Sequence, residues 1–455
     1  MQRVAASFRD PSGFVFTQAG IVYRSIAPSY FVYYDHLMGS GLYDILVQKK
    51  LLVSHQEELN VWTEQERRII PTTIPFITYP FEWSFSQLKD AALLTLQIQK
   101  EALEYGMTLK DASAYNVQFF EGRALFIDTL SFEEYQEGKP WVAYKQFCEH
   151  FLAPLALMAY KDIRLSCLLK QYLDGIPLNL ASRLLPVKTY VKLGLLVHIH
   201  LHAYAQKKYE TSTKTKERKG SFTHKQFLGL LDSLQSTIKG CDYKPVGTEW
   251  ADYYQDDSYT AEGFVSKQSI IRDFLRIAQP KTVVDLGAND GAFSRLATQE
   301  AELVVSADYD VACVEKNYRK AKEYGEKKIL PLVIDVMNPS PACGWAQKER
   351  QGLTDRIQGD CVMALALVHH IALSHNVPLQ SLAEYFRLLT KEWLIIEFVP
   401  KSDKKVHTLL ATRKDIFDHY TVVDFEQACK HYFSIVAQQK VKDSERLLYL
   451  MRRKG

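Results

Sequence analysis

A chain of 455 residues is too long for one ordinary core and calls for two or three domains. Hydrophobic content of 47% with 24% charged residues is that of a soluble globular protein and excludes a disordered or fibrous chain. Lys plus Arg number 56 against 53 Asp plus Glu, so the net charge of +3 does not point to nucleic acid as a partner.

Seven cysteines (148, 167, 241, 313, 343, 361 and 429) are scattered, and none forms a C-x-x-C pair. That pattern suits reduced thiols and excludes a disulfide framework or a thiolate zinc site. The opening MQRVAASFRDPSGF lacks an apolar core of signal-peptide length, and no run of about 18 apolar residues follows. The expectation is a cytoplasmic protein with no membrane partner.

In chain order, residues 7–26 alternate around Gly13 and Gly20 and predict a β-hairpin. Residues 29–52 have helical spacing, and 69–80 (IIPTTIPFITYP) suits a short strand entering a turn. Ser84 and Gln87 have capping-box spacing at the head of a strong helix, and Gly106 is a natural stop. KDASAYN follows, then two short strands, 117–120 and 124–127, joined by Glu121-Gly122-Arg123. Residues 140–202 read as helical with a break near Gly175–Pro177, and 210–225 as a polar, basic loop. A helix over 226–239 leads to a domain boundary. We place an N-terminal α+β domain at 1–240 and a second domain at 241–455.

From Lys267 strands and helices alternate: strand candidates are 282–286, 303–307, 329–334, 361–365 and 393–398. Such alternation implies a doubly wound α/β sheet, mostly parallel, with helices on both faces. In KTVVDLGANDGAFSRLA an apolar strand ends at Asp285, a turn with Gly287 and Gly291 follows, and a helix begins near Ala292. Small residues at a strand's carboxyl end let a ligand approach the backbone, and a helix start offers free N–H groups. The order D-x-G-x-x-x-G differs from the dinucleotide pattern G-x-G-x-x-G. It resembles motif I of the class I S-adenosylmethionine-dependent methyltransferases. That resemblance implies a Rossmann-like sheet, S-adenosylmethionine as cofactor, and Asp285, Gly287, Asn289 and Gly291 around its methionine part. Asn289 stands where many members have glycine. Asp308 ends the next strand, where an acid accepts from the ribose hydroxyls, and Asp335 ends the third, where the family reads the adenine amino group.

Upstream, Trp250, Tyr253, Tyr254, Tyr259 and Lys267 precede the first strand. In many methyltransferases the pre-strand helix closes over the cofactor, which suggests Tyr259 and Lys267 as contacts to its carboxylate. The fourth strand ends in Val368-His369-His370 and the fifth in Glu397-Phe398. A hydroxyl acceptor needs a base, and histidine suits that because it titrates near neutrality. His369 or His370 is the candidate base; one of them capping a helix or filling a core position is the competing reading. Glu397 is suited to orient the histidine or the acceptor, or is a solvated strand-end acid. EWADYY, VVDLGANDGAFSRLA, ALALVHHIAL, IIEFVPKSD and SERLLYL also resemble a bacterial group that includes host-specific nodulation methyltransferase-like proteins. SFRDPSGFVF, YPFEWSF and LKDASAYNVQF carry that resemblance into the N-terminal half.

In that half, Lys110-Asp111 through Asn116, a hairpin, then Asp128 resemble the catalytic core of protein-kinase-like and aminoglycoside-phosphotransferase-like folds. The resemblance implies that Asp111 accepts a hydroxyl proton, with Mg²⁺ held at Asn116 and Asp128 if the site is active. Departures are Lys110 for the usual Arg or Gly, Thr129-Leu130 after the second acid, and no V-A-I-K lysine; Arg24 in IVYRSI is the nearest cation. A degenerate fold that binds the acceptor or a protein partner is expected, and an Asp–Asn turn network is the plainer alternative.

The function expected is O-methylation of a small molecule or glycan. The N/D-P-P-Y/F motif of many N-methyltransferases is absent. A methyltransferase acting on protein or RNA, docked through the basic loop 214–225, is a second reading; a bifunctional kinase/methyltransferase is a third.

Overall fold

The computed structural model describes residues 1–210, 222–245, 260–411 and 414–455. Two compact units emerge: Met1–Lys244 with Ala342–Gln351, and Pro245–Pro341 with Gly352–Gly455. Trp250, Tyr253, Tyr254, Tyr259 and most of the 210–225 loop lie outside the described residues.

The first unit opens with an antiparallel sheet in the order Gln2–Arg3, Gly13–Gln18, Ile21–Ile26, Arg67–Pro71, His55–Glu57. The hairpin turns through Ala19 and Gly20 at φ 49° and 79°, the two left-handed positions that suit the strands' twist. The helical stretch after it is broken in two, Phe31–Gly39 and Leu42–Gln48, by Gly41 at φ 84°. The helix Phe85–Glu104 starts at Ser84, whose backbone N–H donates to the Gln87 side chain (2.9 Å) while the Ser84 Oγ caps Gln87, as the spacing implied. Beyond Gly106, Met107–Leu109 pairs with Phe132–Glu134, and Val117–Phe120 pairs with Arg123–Phe126. Short helices follow, then a continuous helical run from Leu193 to Glu210 with a wide, π-helical middle, and the capped helix His224–Gly240. All seven cysteines are free.

The second unit is built on seven strands: β1 (Thr282–Leu286), β2 (Leu303–Asp308), β3 (Ile329–Val333), β4 (Gly359–Ala364), β5 (Thr390–Phe398), β6 (Phe433–Lys440) and β7 (Leu447–Arg453). Their order is β3-β2-β1-β4-β5-β7-β6, with β1 to β5 parallel and β7 antiparallel to both neighbours. This is the mostly parallel α/β sheet that the alternation of strands and helices implies. The strands read as near-continuous apolar runs because helices cover both faces. Phe274, Val283, Phe293, Val304, Met363 and Ile395 are among the residues of the core. Strand β1 lies between β2 and β4, so the chain reverses its direction of progress there; the loop after β1 sits at the switch point where α/β sheets bind ligands.

The segment Ala342–Gln351, between β3 and β4 in sequence, clusters with the first unit. There the Arg9 guanidinium pairs with Glu349 (2.9 Å), Gln351 N–H donates to the Tyr79 hydroxyl (2.9 Å), and Arg350 lies over the Tyr115 ring (4.2 Å).

Candidate active site

The loop after β1 folds back on β2: the N–H groups of Gly287 and Ala288 both donate to the Ala307 carbonyl, at 2.9 and 3.0 Å. Gly287, Asn289 and Gly291 are all left-handed, at φ 74°, 53° and 82°. Asparagine tolerates that region better than most residues, which explains how it stands in a glycine position. Gly291 is the most constrained of the three: a Cβ there would lie 2.5–2.7 Å from side-chain atoms of Asn317 and Arg295, which would have to move.

Two carboxylates flank this loop. Asp285 is fully buried, and its Oδ2 accepts from the Ser294 hydroxyl (2.7 Å). Burial pushes its pKa up to about 7, with the neighbouring Asp308 charge adding to the shift. Ser294 lies 2.8 Å from the Ser306 hydroxyl, which accepts from Asn317 Nδ2 (2.8 Å). Asp308 accepts from the Asn289 N–H and the Asp310 N–H, both at 2.8 Å; burial outweighs these donors and holds its pKa at about 6. Asp335, two residues beyond β3, is exposed and accepts from the Met337 N–H (2.8 Å).

At the ends of β4 and β5 lies a buried ionic network. Lys267 Nζ donates to Glu397 Oε2 (2.6 Å), and the Ala366 N–H donates to the same oxygen (2.8 Å). Arg446 lies 3.8 Å from Glu397 and donates to Asp403 (2.7 Å). Lys267, Glu397 and Arg446 are all almost wholly inaccessible to solvent. Two cations and two carboxylates thus balance inside the fold, as a buried charge requires. The reading of Glu397 as a solvated strand-end acid is therefore overturned: it anchors the β4 terminus, where Ala366 is held at φ 50°. Lys267, expected at the cofactor carboxylate, pairs with Glu397.

The fourth strand does not run to the histidines as expected: β4 stops at Ala364, and His369 and His370 lie on the helical turn after it. His369 is fully buried, and neither of its ring nitrogens has a hydrogen-bond partner. Its ring lies 4.1 Å from that of His370. Burial, reinforced by the neighbouring His370, depresses the His369 pKa; burial and the Arg446 charge bring His370 down to about 4. Both imidazoles are neutral at physiological pH, the form that can take a proton, but their lowered pKa values make them weaker bases than the near-neutral histidine that the sequence suggests.

In the first unit, Asp111 Oδ1 accepts from the Ser113 N–H (2.9 Å), and Asn116 Nδ2 donates to Ser131 Oγ (3.2 Å). Asp128 accepts from Ser131 Oγ (2.6 Å) and the Leu130 N–H (2.9 Å), and pairs with the Arg24 guanidinium (2.6 Å). Arg24 also holds Asp10 at 2.6 Å. Burial raises the Asp111 pKa, with the Asp128 charge adding to it. Asp111, Asn116 and Asp128 are thus brought into one polar cluster, but Asp128 already carries a guanidinium. Among the described residues, no group of three or more His, Cys, Asp or Glu side chains is placed to hold a metal ion.

No family model matches the chain. The nodulation protein NoeA of Rhizobium meliloti (strain 1021) is 36% identical over 465 aligned positions, covering 99% of this chain and 96% of NoeA. The chain belongs to the NoeA family. Solved structures similar to this chain include magnesium protoporphyrin IX methyltransferase from Synechocystis PCC 6803 with bound S-adenosylmethionine (TM-score 0.30, 17% identity, 45% of this chain and 90% of that one). The bifunctional kinase-methyltransferase WbdD is another (TM-score 0.30, 15% identity, 46% and 43%). S-adenosylmethionine, the cofactor that the sequence resemblance implies, is bound in the first of those structures.

The residues present fit that cofactor. The loop from Gly287 to Gly291 is a side-chain-poor cradle, and two buried carboxylates beside it are served only by hydroxyl and N–H donors. A cationic amino acid and ribose hydroxyls match that set. Sequence reasoning missed Ser294, Ser306, Asn317 and Arg446. Ser294 and Arg446 lie inside the quoted motifs, but nothing in their local spacing marks them as partners of Asp285 and Glu397.

Proposed function

We propose that this chain transfers a methyl group from S-adenosylmethionine to a hydroxyl oxygen of a small molecule or glycan. Asp285, Gly287, Asn289, Gly291, Asp308 and Asp335 would hold the cofactor, which supplies an electrophilic methyl group when bound. The observation that carries the acceptor chemistry is His369: a wholly buried imidazole on the helical turn five residues beyond the end of β4, with both nitrogens unpartnered, beside a second neutral imidazole. Unsatisfied buried polar atoms are costly, and they are retained where a ligand or proton completes them. One of the two histidines takes the acceptor's proton as the oxygen attacks. Glu397, fixed by Lys267 and Arg446, is a positioning residue that holds the β4 end carrying them. Tyr259 remains a candidate contact to the cofactor carboxylate.

The first unit supports a kinase-like reading through its elements: a capped helix, a strand pair, the Asp111–Asn116 loop, a hairpin, then Asp128. With Arg24 on Asp128, we read it as a degenerate module that binds the acceptor or a protein partner in place of phosphoryl transfer. A role in nodulation, as the NoeA name states for that relative, is part of this proposal.

The test is a methyl-transfer screen of cell extract with labelled cofactor, with product fractions treated separately with protease and ribonuclease. Label that survives both treatments and is lost with His369→Ala or His370→Ala supports the proposal. Label removed by either enzyme, or turnover unchanged in both variants, ends it.

A further inference from the structure

The first unit turns an apolar face outward between Val187 and Tyr204. Of 24 exposed large apolar side chains among the described residues, seven fall in these 18 positions. Val187, Val191 and Leu193 are 82%, 87% and 75% exposed. Leu193, Val197 and Leu201 recur every four residues along the helical run from Leu193, and with its wide-turn middle they form one stripe that Tyr204 extends. Tyr190 stacks on His200 at 3.8 Å, which ties the turn Val187–Val191 beside that stripe.

The inward side of the same helix is firmly built. His198 bridges Tyr144 and Ser233 at 2.8 Å each, and His200 bridges Ser182 and Thr189 at 2.8 and 2.9 Å. The outward side chains are therefore held out by a fixed helix. Lys188 and Lys192 are exposed among them. From Gly175 to Tyr209 the sequence has five Lys or Arg and no Asp or Glu.

Scattered exposed apolar residues need no explanation, but a contiguous set does. We propose that this face seats the protein on the surface of an anionic lipid bilayer. The aliphatic side chains and the two tyrosines enter the headgroup boundary, while the lysines extend to the phosphates. Apart from two tyrosine hydroxyls and the lysines the face is aliphatic, and its charge is complementary to anionic lipid. No helix among the described residues is long and apolar enough to cross a membrane, so the contact is peripheral. This departs from the sequence expectation of no membrane partner and does not depend on the acceptor.

The test is co-sedimentation of the full chain with phosphatidylcholine vesicles, with and without phosphatidylglycerol, at low and high salt. Binding is expected to be about tenfold stronger to the anionic vesicles and to weaken with salt. Val191→Asp with Leu193→Asp, and separately Lys188→Glu with Lys192→Glu, should each weaken it about tenfold. Circular dichroism and the thermal unfolding of the full chain should stay unchanged and so certify folding; Val191→Ser with Leu193→Ser replaces the first variant if it does not fold. Equal binding to neutral vesicles, or variants that bind like the parent, overturns the proposal. So does light scattering that finds a dimer which the aspartate variant makes monomeric, since the face would then be an interface between copies.

Discussion

The chain holds two clusters of buried or half-buried acids, and they differ in who answers the charge. Asp285 and Asp308 are met by hydroxyl and N–H donors, and burial drives both pKa values up toward neutrality. Asp128 is met by the Arg24 guanidinium, which also holds Asp10. The first cluster leaves negative charge for a ligand to compensate; the second has supplied its own cation. Two sets of acids at motif positions can therefore differ in readiness to bind, and the difference lies in partners far away in sequence.

The largest effect expected is on turnover. Replacing the histidine proposed as base should lower the methyl-transfer rate about 10²- to 10⁴-fold, with S-adenosylhomocysteine affinity nearly unchanged. Loss of affinity together with rate would place that histidine in cofactor binding and weaken the contrast between the two functions of the site. Next is Asp308→Ala, which removes a charged acceptor and releases the Asn289 N–H. Calorimetry should find S-adenosylhomocysteine binding weakened about a hundredfold, in keeping with losing two hydrogen bonds to a charged group. An Asp111→Asn variant should leave that affinity unmoved.

The pH dependence is smaller and has a definite sign. Both C-terminal acids have folded-state pKa values, about 7 and about 6, above the ordinary carboxylate value. The folded chain thus keeps protons that the unfolded chain releases, and the stability of the ligand-free protein falls as pH rises from about 4 to 7. A ligand ammonium favours the ionised acid, so affinity should strengthen about tenfold or more between pH 5.5 and 8, with proton release on binding. Gly291→Ala tests the cradle: added strain and the contact with Asn317 should cost about 1–3 kcal/mol in chemical denaturation. The smallest effect is expected from Arg24→Ala. S-adenosylhomocysteine affinity should stay within about twofold because the two clusters share no partner, while Mg²⁺ affinity at Asp128 should rise.

What the sequence revealed follows from range. The loop after β1 was legible because its strand, turn and acid are consecutive residues. Five of the seven sheet strands were legible as apolar runs between helices. Strands β6 and β7 were not among the expected elements: β6 reads as the polar edge run FSIVAQQK, and β7 was noticed only as the motif SERLLYL. The network of Lys267, Glu397 and Arg446 joins residues more than a hundred positions apart at one end, and no local spacing encodes it. The same holds for Arg24 on Asp128. The assignment of Ala342–Gln351 to the first unit is also a tertiary fact, since in sequence it stands between two strands of the second. The sequence leaves Glu397 either orienting a partner or solvated, because it does not show the two cations that make burial of the carboxylate tolerable.

The central claim is tested most directly by calorimetric titration of the full chain with S-adenosylhomocysteine, in parent, Asp308→Ala and Asp111→Asn forms. The account predicts saturable binding that is retained in the Asp111 variant, strengthens from pH 5.5 to 8, and is lost about a hundredfold with Asp308. Absence of binding in the parent at millimolar ligand, or equal binding with and without Asp308, would contradict it.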